Sequence, residues 1–531
     1  MKKTAIFVIA LLLTTVGFAQ NPNNPNAKLN LVVGGFSGDY ASDQRVNVLH
    51  ELTKSHRANV IEQSAYESLP KDVRAKMRID AVITGKCDIK TERKETTRTD
   101  KNGNKKVVPL YETKMTTSLT FTDPRDGKAI LTPVFENSET DEDRNKSINS
   151  AIEVGHTRGK QLMLLMVQLY TLDEYLQETY PVTGKIVTVN ESKKGKAESV
   201  TINLGSRDAI YRGQTFEVVF YKNGKQKNYG RMRVREINND SLATCIVEKD
   251  GKNIMAAVES GEDVNITSYV QAVSLNGIVR VEQEAPRLNI SGADDAKKRD
   301  VAFGSITGGA PSDFVTAVKE NLKTNRRVNA YMLGTPACPD NAKLDGIICG
   351  YYTGMDKSSR LVKAEEHLLQ LKDYTEYTTS IGWYLFIVDP NTGNIVYSGN
   401  EGTSASSDKS AEDATRQAIQ NAATITSSTY SAFPLIGTIL TVDDADPQKA
   451  KEVSIDLGSN YPVYKGLRFD VYSQDAAGGW EKIGRLEVSN VVDGTHSSCT
   501  VKKGGEEIQK VVENGTPVRI TTYILKEFFE L

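Results

Sequence analysis

Short apolar runs and helically spaced apolar residues alternate along the first part of the chain. Leu29-Asn-Leu-Val-Val33 and Val60-Ile61 predict buried strands, and Asp80-Ala-Val-Ile-Thr-Gly85 predicts a third strand that ends in a glycine turn. In the segment between the first two strands, apolar residues recur at a spacing of three, at Val46, Leu49 and Leu52. This spacing predicts a helix with one apolar face. Strands that alternate with helices indicate an α/β domain.

A hairpin and a long helix complete this domain, which extends over residues 28–180. Two extended runs between Leu119 and Leu131 flank Asp123-Pro-Arg-Asp-Gly127, whose residue types are typical of a hairpin turn. One apolar stripe at spacings of four and three then predicts a closing helix: Ile148, Ile152, Gly155, Gly159, Leu162, Met166 and Leu169.

The next residues, 181–271, carry a β pattern. In Gly230-Arg-Met-Arg-Val234 apolar and polar residues alternate, so one face of the strand can be buried. Glycines lie between such runs, where turns and close backbone contacts require them. Several short strands joined by glycine turns predict a small barrel-like module.

This module occurs a second time at residues 434–531. Pro181-Val-Thr-Gly184 matches Pro434-Leu-Ile-Gly437, and Val200–Ser206 matches Val453–Ser459, both at an offset of 253 residues. After a slip of one residue the match continues at five further pairs: Gly230/Gly484, Cys245/Cys499, Gly251/Gly505, Gly261/Gly515 and Tyr269/Tyr523. Matches at a near-constant offset indicate an internal duplication.

A second α/β domain, residues 300–433, repeats the order of the first. It begins with a strand at Val301-Ala-Phe303, a helix for which Ser312 is a candidate N-cap, and a strand at Val328-Asn-Ala-Tyr-Met332. Three further segments align with the third strand, the hairpin turn and the closing helix of the first domain: 345–350, 389–393 and 411–422.

The sequence therefore predicts an α+β protein with two tandem α/β domains, at 28–180 and 300–433. Each domain is followed by a small all-β, barrel-like module, at 181–271 and 434–531. Residues 272–299 link the two halves.

The first residues have the pattern of an export signal. Two lysines precede an apolar run from Ala5 to Val16, and Gly17-Phe-Ala19 supplies small residues for cleavage. We expect residues 1–19 to be a signal peptide and the mature chain to start at Gln20. No cysteine follows the cleavage site, so we expect no lipid anchor and a periplasmic protein, either peripheral to the outer membrane or secreted.

The net charge narrows the classes of partner, and the cysteine count limits the possible disulfides. The net charge of -2 and the pI near 6.3 give no general attraction to nucleic acid. The five cysteines cannot all pair. Cys245 and Cys499 occupy matched strand positions and are expected to be small buried side chains, whereas a disulfide between Cys338 and Cys349 is left open.

No catalytic, cofactor-binding or metal-binding residue is predicted. The five histidines lack metal-ligand spacing, and we place His50 and His56 on the surface of a helix. Ser406-Ser-Asp-Lys409 matches the Ser-x-x-Lys motif of penicillin-binding enzymes, but in a polar loop and without the partner motifs, which indicates a chance match. Gly34-Gly-Phe-Ser-Gly38 has the composition of an anion-binding nest, but a tight strand-to-helix turn explains it.

The most charged segment follows the third strand. Residues 86–106, the charged arm, are basic with interspersed acids, and we expect an exposed hairpin. A contact to an anionic envelope polymer is the weaker alternative. At the corresponding place the second domain holds Gly350-Tyr-Tyr-Thr-Gly354 and a segment, Leu361 to Leu371, that we expect to be helical.

Two aligned strands and two aligned turns carry a family resemblance: 80–85, 345–350, 123–127 and 389–393. Through them the α/β domains resemble the periplasmic family that includes the curli-secretion component CsgG, the TolB amino-terminal domain and the penicillin-binding-protein activator LpoB. The β modules, through Leu204-Gly205…Gly213 and Leu457-Gly458…Gly466, resemble the carboxy-terminal domain of flagellar assembly protein T (FlgT). The resemblance implies a non-enzymatic part of envelope machinery: a secretion pore, a ring scaffold or a synthase activator.

We therefore expect a non-enzymatic assembly or scaffold protein of the cell envelope. Its expected partners are envelope or outer-membrane proteins and further copies of the chain in a ring or array, with no nucleic acid, small-molecule substrate or cofactor. We expect the first half to face a partner through the charged arm and the second half to pack against a neighbouring copy.

Three alternatives stay open. One is a regulator that binds an envelope enzyme. Another is a secretion-channel component, although the charged arm carries charge on both faces and no lipidated cysteine is present. The third is a cell-wall hydrolase or transferase that acts through Ser406.

Overall fold

The computed structural model describes residues 24–99, 101–141, 176–177, 180–222, 225–238, 241–261, 263–268, 298–325, 328–363, 373–426, 435–442, 448–474 and 480–522. The chain divides into two compact units, Met1–Tyr66 with Arg78–Pro181, and Glu67–Met77 with Val182–Leu531. The predicted signal peptide, the helix over 148–169 and nearly all of the linker 272–299 lie outside the described residues.

A six-stranded sheet forms the first unit. The elements of this part of the chain are, in order, β1 (Leu29–Gly38), α1 (Ala41–Thr53), β2 (Ala58–Glu62), α2 (Gln63–Glu67), α3 (Lys71–Lys76), β3 (Ala81–Thr99), β4 (Lys105–Thr122), β5 (Ala129–Leu131) and β6 (Val134–Asp141), of which α3 belongs to the second unit. The strand order is β2-β1-β3-β4-β5, and β6 pairs with β4. Strand β1 is parallel to β2 and β3, and the remaining pairs are antiparallel. The predicted strands and the predicted hairpin are confirmed, but the glycine turn predicted at Gly85 is wrong, because β3 continues through this residue to Thr99 and stays paired with β4.

Helix α1 covers this sheet with an apolar face. It contacts β1, β2 and β3 and buries Val48, Leu49 and Leu52. The predicted core position Val46 is only half-buried. The buried apolar stripe of α1 therefore begins at Val48, two residues later than predicted.

The prediction of a tight turn at Gly34–Gly38 is wrong, because β1 continues through these residues. The pairing of β1 with β3 shifts between Val33 and Phe36, which is a β-bulge that keeps the strand extended. At Gly38, where φ is +84°, a Cβ atom would lie 2.1 Å from the carbonyl oxygen of Cys87. The glycines thus serve strand geometry and not an anion nest.

A closed six-stranded barrel follows. Its elements are β7 (Thr183–Lys193), β8 (Lys196–Ile202), β9 (Thr215–Lys222), β10 (Lys225–Ile237), β11 (Ala243–Lys249), α4 (Gly251–Glu259) and β12 (Asn265–Ser268). The order around the barrel is β10-β11-β8-β7-β12-β9. One apolar cluster fills it, with Phe216, Val218 and Met232 fully buried.

The second α/β sheet has five strands. Its elements are β13 (Arg299–Thr307), α5 (Ser312–Thr324), β14 (Val328–Met332), a 3₁₀ helix (Asn341–Lys343), β15 (Gly346–Val362), β16 (Tyr374–Val388), β17 (Ile395–Ser407) and α6 (Ala411–Thr426). The order is β14-β13-β15-β16-β17. Phe314 of α5 contacts Trp383 of β16 edge-on, with ring centroids 5.5 Å apart, inside a core to which α6 contributes Ala418 and Ala422. Ser312 is the first residue of α5 and makes no capping hydrogen bond, so the N-cap prediction is wrong.

A seven-stranded sheet ends the described chain. Its elements are β18 (Ile436–Gly437), β19 (Ile439–Val442), β20 (Glu452–Ile455), β21 (Arg468–Gln474), β22 (Trp480–Val491), β23 (Ser497–Lys503), α7 (Gly505–Glu513) and β24 (Val518–Thr522). The order is β18-β24-β21-β22-β23-β20-β19. Its two outermost strands are separated in the chain only by Thr438, so the sheet is a nearly closed barrel.

The glycines that match in sequence have matching neighbours. A Cβ atom on Gly251 would lie 2.4 Å from the Ala197 carbonyl oxygen, and one on Gly505 would lie 2.5 Å from the Ala450 carbonyl oxygen. Other matched glycines share a positive φ: Gly213 (+90°) and Gly466 (+89°), Gly261 (+75°) and Gly515 (+65°). The sequence matches therefore reflect common backbone requirements.

Matched aspartates in the two α/β sheets have a structural role. Asp80 accepts a hydrogen bond from the Asn30 backbone N–H at 2.7 Å, and Asp345 accepts one from the Asp300 backbone N–H at 2.8 Å. Each carboxylate also contacts an arginine, Arg78 or Arg299. Both aspartates thus fix the start of the third strand to the start of the first.

The two hairpin turns of these sheets have one geometry. The N–H of Gly127 donates to the Asp123 carbonyl at 2.9 Å, and the N–H of Gly393 donates to the Asp389 carbonyl at 2.8 Å. The φ angles of the two glycines are +71° and +73°. Only glycine adopts this conformation without strain, which explains the aligned Asp…Gly pattern.

Candidate interaction surface

The charged arm is a long β-hairpin. Strands β3 and β4 pair continuously from Val82 opposite Thr122 to Thr99 opposite Lys105. Strand β1 accompanies β3 only as far as Cys87, and β6 accompanies β4 only from Ser118 to Tyr111. The twelve residues of β3 beyond Cys87 span about 40 Å at the usual rise per residue.

The base of the arm is fixed to the sheet. Cys87 and Ile89 form a small buried cluster against Tyr40, and burial raises the pKa of the Cys87 thiol. Asp39 accepts a hydrogen bond from the Ile89 backbone N–H at 2.8 Å, and its own N–H donates to the Cys87 carbonyl at 2.8 Å. A rigid base holds the exposed part of the arm in a defined direction.

The exposed part carries charge on both faces. The charged arm contains eight Lys or Arg and four Asp or Glu residues, in a chain whose net charge is -2. On one face three pairs of like charge stand directly opposite each other: Lys90 and Lys114, Glu92 and Glu112, Arg98 and Lys106. Facing like charges destabilise a strand pair. A hydrogen bond to Glu112 raises the pKa of Lys94, which offsets part of this repulsion.

The second α/β sheet also has a long hairpin, where we expected a helix. Strands β15 and β16 pair from Ile347 opposite Val388 to Val362 opposite Tyr374. Leu361 is 62% exposed near the end of β15, so the helical prediction is wrong at the start of the segment 361–371, and residues 364–372 lie outside the described part. This hairpin differs from the charged arm because β17 covers β16 along most of its length.

Ser406 lies in a strand and not in the polar loop that we expected. It is the penultimate residue of β17, and its hydroxyl is 2.8 Å from the Thr378 hydroxyl on β16. No hydrogen bond joins Ser406 to Lys409 among the described residues. The next serine, Ser407, donates to Asp413 at 2.8 Å and lowers the pKa of that carboxyl near the start of α6. The local polar residues thus stabilise the junction between strand and helix.

The described histidines do not share a site. His50 is half-buried on α1, where burial and Lys54 lower its pKa to about 4, whereas His56 lies beyond the end of the helix, so their predicted common helical surface is wrong. His496 contacts Asp493 in a turn between β22 and β23. No cluster of three metal-ligating side chains occurs in the described ranges. His156 and His367 lie outside them.

The five cysteines are free thiols, and Cys338 and Cys349 are not paired. Burial raises the pKa of Cys245, Cys349 and Cys499 to about 12.

In the described ranges, no helix combines the length and apolar character needed to cross a membrane.

A contact that the sequence did not predict involves α3, which belongs to the second unit. Asp72 accepts two hydrogen bonds from the Asn341 amide at 3.1 and 3.0 Å, which lower the pKa of its carboxyl. Lys76 donates to the Pro390 carbonyl at 2.9 Å. A Cβ atom on Gly393 would lie 2.6 Å from the Lys76 carbonyl carbon. The turn Asp389–Gly393 is therefore covered by the end of α3.

No protein-family model matches this sequence, and the comparison with curated proteins gave no match. Structural similarity extends to short bacterial proteins. A neuraminyllactose-binding hemagglutinin homologue from Helicobacter pylori has 11% identity and a TM-score of 0.21, covering 29% of this chain and 92% of that chain. A minor lipoprotein from Acinetobacter baumannii has 14% identity and a TM-score of 0.18 (25% and 93%), and a lipoprotein from Neisseria meningitidis has 10% identity and a TM-score of 0.16 (21% and 86%). Similarity at this level carries no conclusion about function.

Proposed function

We propose that this protein is an exported, non-enzymatic assembly or scaffold protein of the cell envelope that binds envelope or outer-membrane proteins. The observation that carries the proposal is the charged arm, a long hairpin with a rigid base and an exposed, highly charged end. A projecting element of this kind presents a large contact surface to a partner while the sheet behind it stays folded.

The arrangement of the chain supports the same function. We propose two tandem α/β domains of the CsgG and TolB type, each followed by a FlgT-like β module, so that one chain presents two related units. Matched glycines, aspartates and turns support this arrangement. In this proposal the β modules act as rigid spacers between α/β domains.

A regulator that binds an envelope enzyme is the second candidate. The charged arm favours it as well, because a protruding hairpin suits insertion into the cleft of one partner. The identity of the captured partner distinguishes the two: a scaffold captures structural envelope proteins, and a regulator captures one enzyme and changes its rate.

The test is a deletion of residues 92–106. Thr91 pairs with Thr113, so the six residues 107–112 remain to close the shortened hairpin. We expect the variant to fold and self-associate normally, while crosslinking in intact cells captures at least tenfold less partner. The matched control reverses one charge elsewhere, Lys465→Glu, and should capture as much partner as the wild type. Undiminished capture by the deletion variant would refute the role of the arm.

A further inference from the structure

Strand β17 forms an outer edge of the second α/β sheet. It pairs with β16 along its length, and no described strand pairs with its other side. Four residues at a spacing of two are exposed on one face of β17: Asn400, Gly402, Ser404 and Ser406. An edge of 13 residues presents a row of backbone N–H and C=O groups, which is a template for pairing with another strand.

The edge of β17 lacks the charges that protect the other long edges. Two further strands in the described part of the chain have a free edge of more than ten residues, β3 beyond Cys87 and β15 beyond Tyr351. Both carry at least three charged residues, which oppose pairing with a second chain, whereas β17 carries only Glu401.

Glu401 does not protect this edge, because its carboxylate is bound within the strand. The Tyr397 hydroxyl donates to Glu401 at 2.6 Å, and burial raises the pKa of both groups. A Cβ atom on Gly399 would lie 2.1 Å from the Tyr397 hydroxyl oxygen, so the missing side chain lets the tyrosine reach the glutamate. Tyr397 also packs against the core of the sheet, which fixes this pair on the helix-covered face.

Gly402, near the middle of the edge, has no internal reason to be a glycine. Its φ is not positive, and the described atom that approaches a Cβ position there, the Ile381 carbonyl oxygen, is 3.7 Å away. The strand would therefore accept a side chain at this position in an isolated molecule.

A second copy of the chain offers the matching strand. An uncharged edge pairs best with a long edge that is also free of charge, and among the described edges only β17 itself has both properties. Two copies of one strand pair antiparallel about a two-fold axis, which is the commonest symmetry of protein oligomers.

We propose that β17 pairs with β17 of a second copy of this chain, with Gly402 on the two-fold axis. In this register Asn400 lies opposite Ser404 of the partner subunit. Glu401 lies opposite Thr403 of the partner subunit, so the two glutamates do not face each other. The pairing joins the two five-stranded sheets into one, closes at a dimer and uses no residue of the charged arm.

Disulfide trapping tests the register in the full mature chain. Cys338→Ser removes the one thiol that is not buried, and Gly402→Cys then places a new thiol on the axis. Opposite residues of an antiparallel pair have Cα atoms about 4.5 to 5.5 Å apart, which suits a disulfide. We expect a crosslinked dimer from this protein under mild oxidation, and at least fivefold less from Ser404→Cys in the same background. Equal crosslinking by both, or no dimer from Gly402→Cys, would overturn the proposal.

Sedimentation velocity tests the edge itself. Gly402→Lys should raise the dimer Kd at least tenfold, because the two introduced lysines would face each other, while its thermal unfolding should match that of the wild-type monomer. Ser358→Lys is the control, because Ser358 is exposed on β15, opposite Thr378 of β16, and it should leave the Kd within twofold. A wild-type protein that stays monomeric, or equal weakening by both substitutions, would overturn the proposal.

Discussion

Single buried polar residues hold critical parts of this protein together. The guanidinium of Arg57, which is 1% exposed, donates to the carbonyls of Pro25, Asn26 and Ala27 and, at 2.9 Å, to that of Tyr180. Four carbonyls thus satisfy one buried cation, and the side chain joins the start of the first α/β region to its end. Nothing in the sequence around Arg57 indicates this role, because its partners are backbone atoms distant in the chain.

Replacing Arg57 with methionine should lower the free energy of unfolding of the first unit by about 3 kcal/mol, since several hydrogen bonds to a charged group are lost and buried carbonyls remain unpaired. Urea unfolding, followed by circular dichroism, measures the change. Arg360→Met is the control, because Arg360 is 75% exposed in a surface ion pair with Glu376, and it should cost less than about 1 kcal/mol. Equal effects of the two substitutions would contradict the assigned role.

His50 should make stability depend on pH. Its folded pKa of about 4 lies below the ordinary value of 6.5, because burial disfavours the charged ring. The unfolded chain therefore binds a proton before the folded chain does, and stability present above pH 6.5 is lost as the pH falls towards 4. Thermal unfolding between pH 7 and 4.5 should show a smaller decline for His50→Gln than for the wild type. A decline for His50→Gln as steep as that of the wild type would contradict the role of His50.

At the scale of elements, close backbone contacts shape the strands and helices more than helix or strand propensity does. The bulged β1 and the starts of α4 and α7 all depend on glycines whose neighbours leave no room for a Cβ atom, among them Gly38, Gly251 and Gly505. The second long hairpin shows the same dominance of pairing. Residues from Leu361 have helical spacing, yet the first two continue β15, because strand pairing with β16 satisfies their backbone groups.

Gly505→Ala should destabilise the protein by about 2 kcal/mol or more, since the new methyl group would lie 2.5 Å from the Ala450 carbonyl oxygen. Gly251→Ala should have a similar effect through Ala197. Gly35→Ala is the matched control, because no atom of the described residues lies within 4 Å of a Cβ position there and the φ of Gly35 is not positive. It should change stability by less than about 1 kcal/mol. Differential scanning calorimetry compares the three variants. A tolerated Gly505→Ala would show that the helix start can shift.

At the scale of the whole molecule, the proposed function depends on export and on the charged arm as the surface that we propose contacts a partner.

The mature protein should begin at Gln20 without an acyl group. Small residues end the predicted signal, and no cysteine follows the cleavage site. Mass spectrometry of the amino-terminal peptide from the native host measures this. A chain that retains Met1 would contradict the proposed export, and a chain that carries a lipid would contradict the expected lack of an anchor.

The sequence by itself determined most strand positions, the matched glycines and the two Asp…Gly turns, because these depend on short-range patterns. The strand predicted at Val328–Met332 is β14, and aligned Asp…Gly pairs located both hairpin turns. Only the tertiary structure decided what the turns contact. The two turns share an Asp-Pro start, a final glycine and the same backbone hydrogen bond, but Pro390 and Gly393 are buried under α3 whereas Pro124 and Gly127 are exposed. That difference arises from segments far apart in the chain, and no local pattern records it.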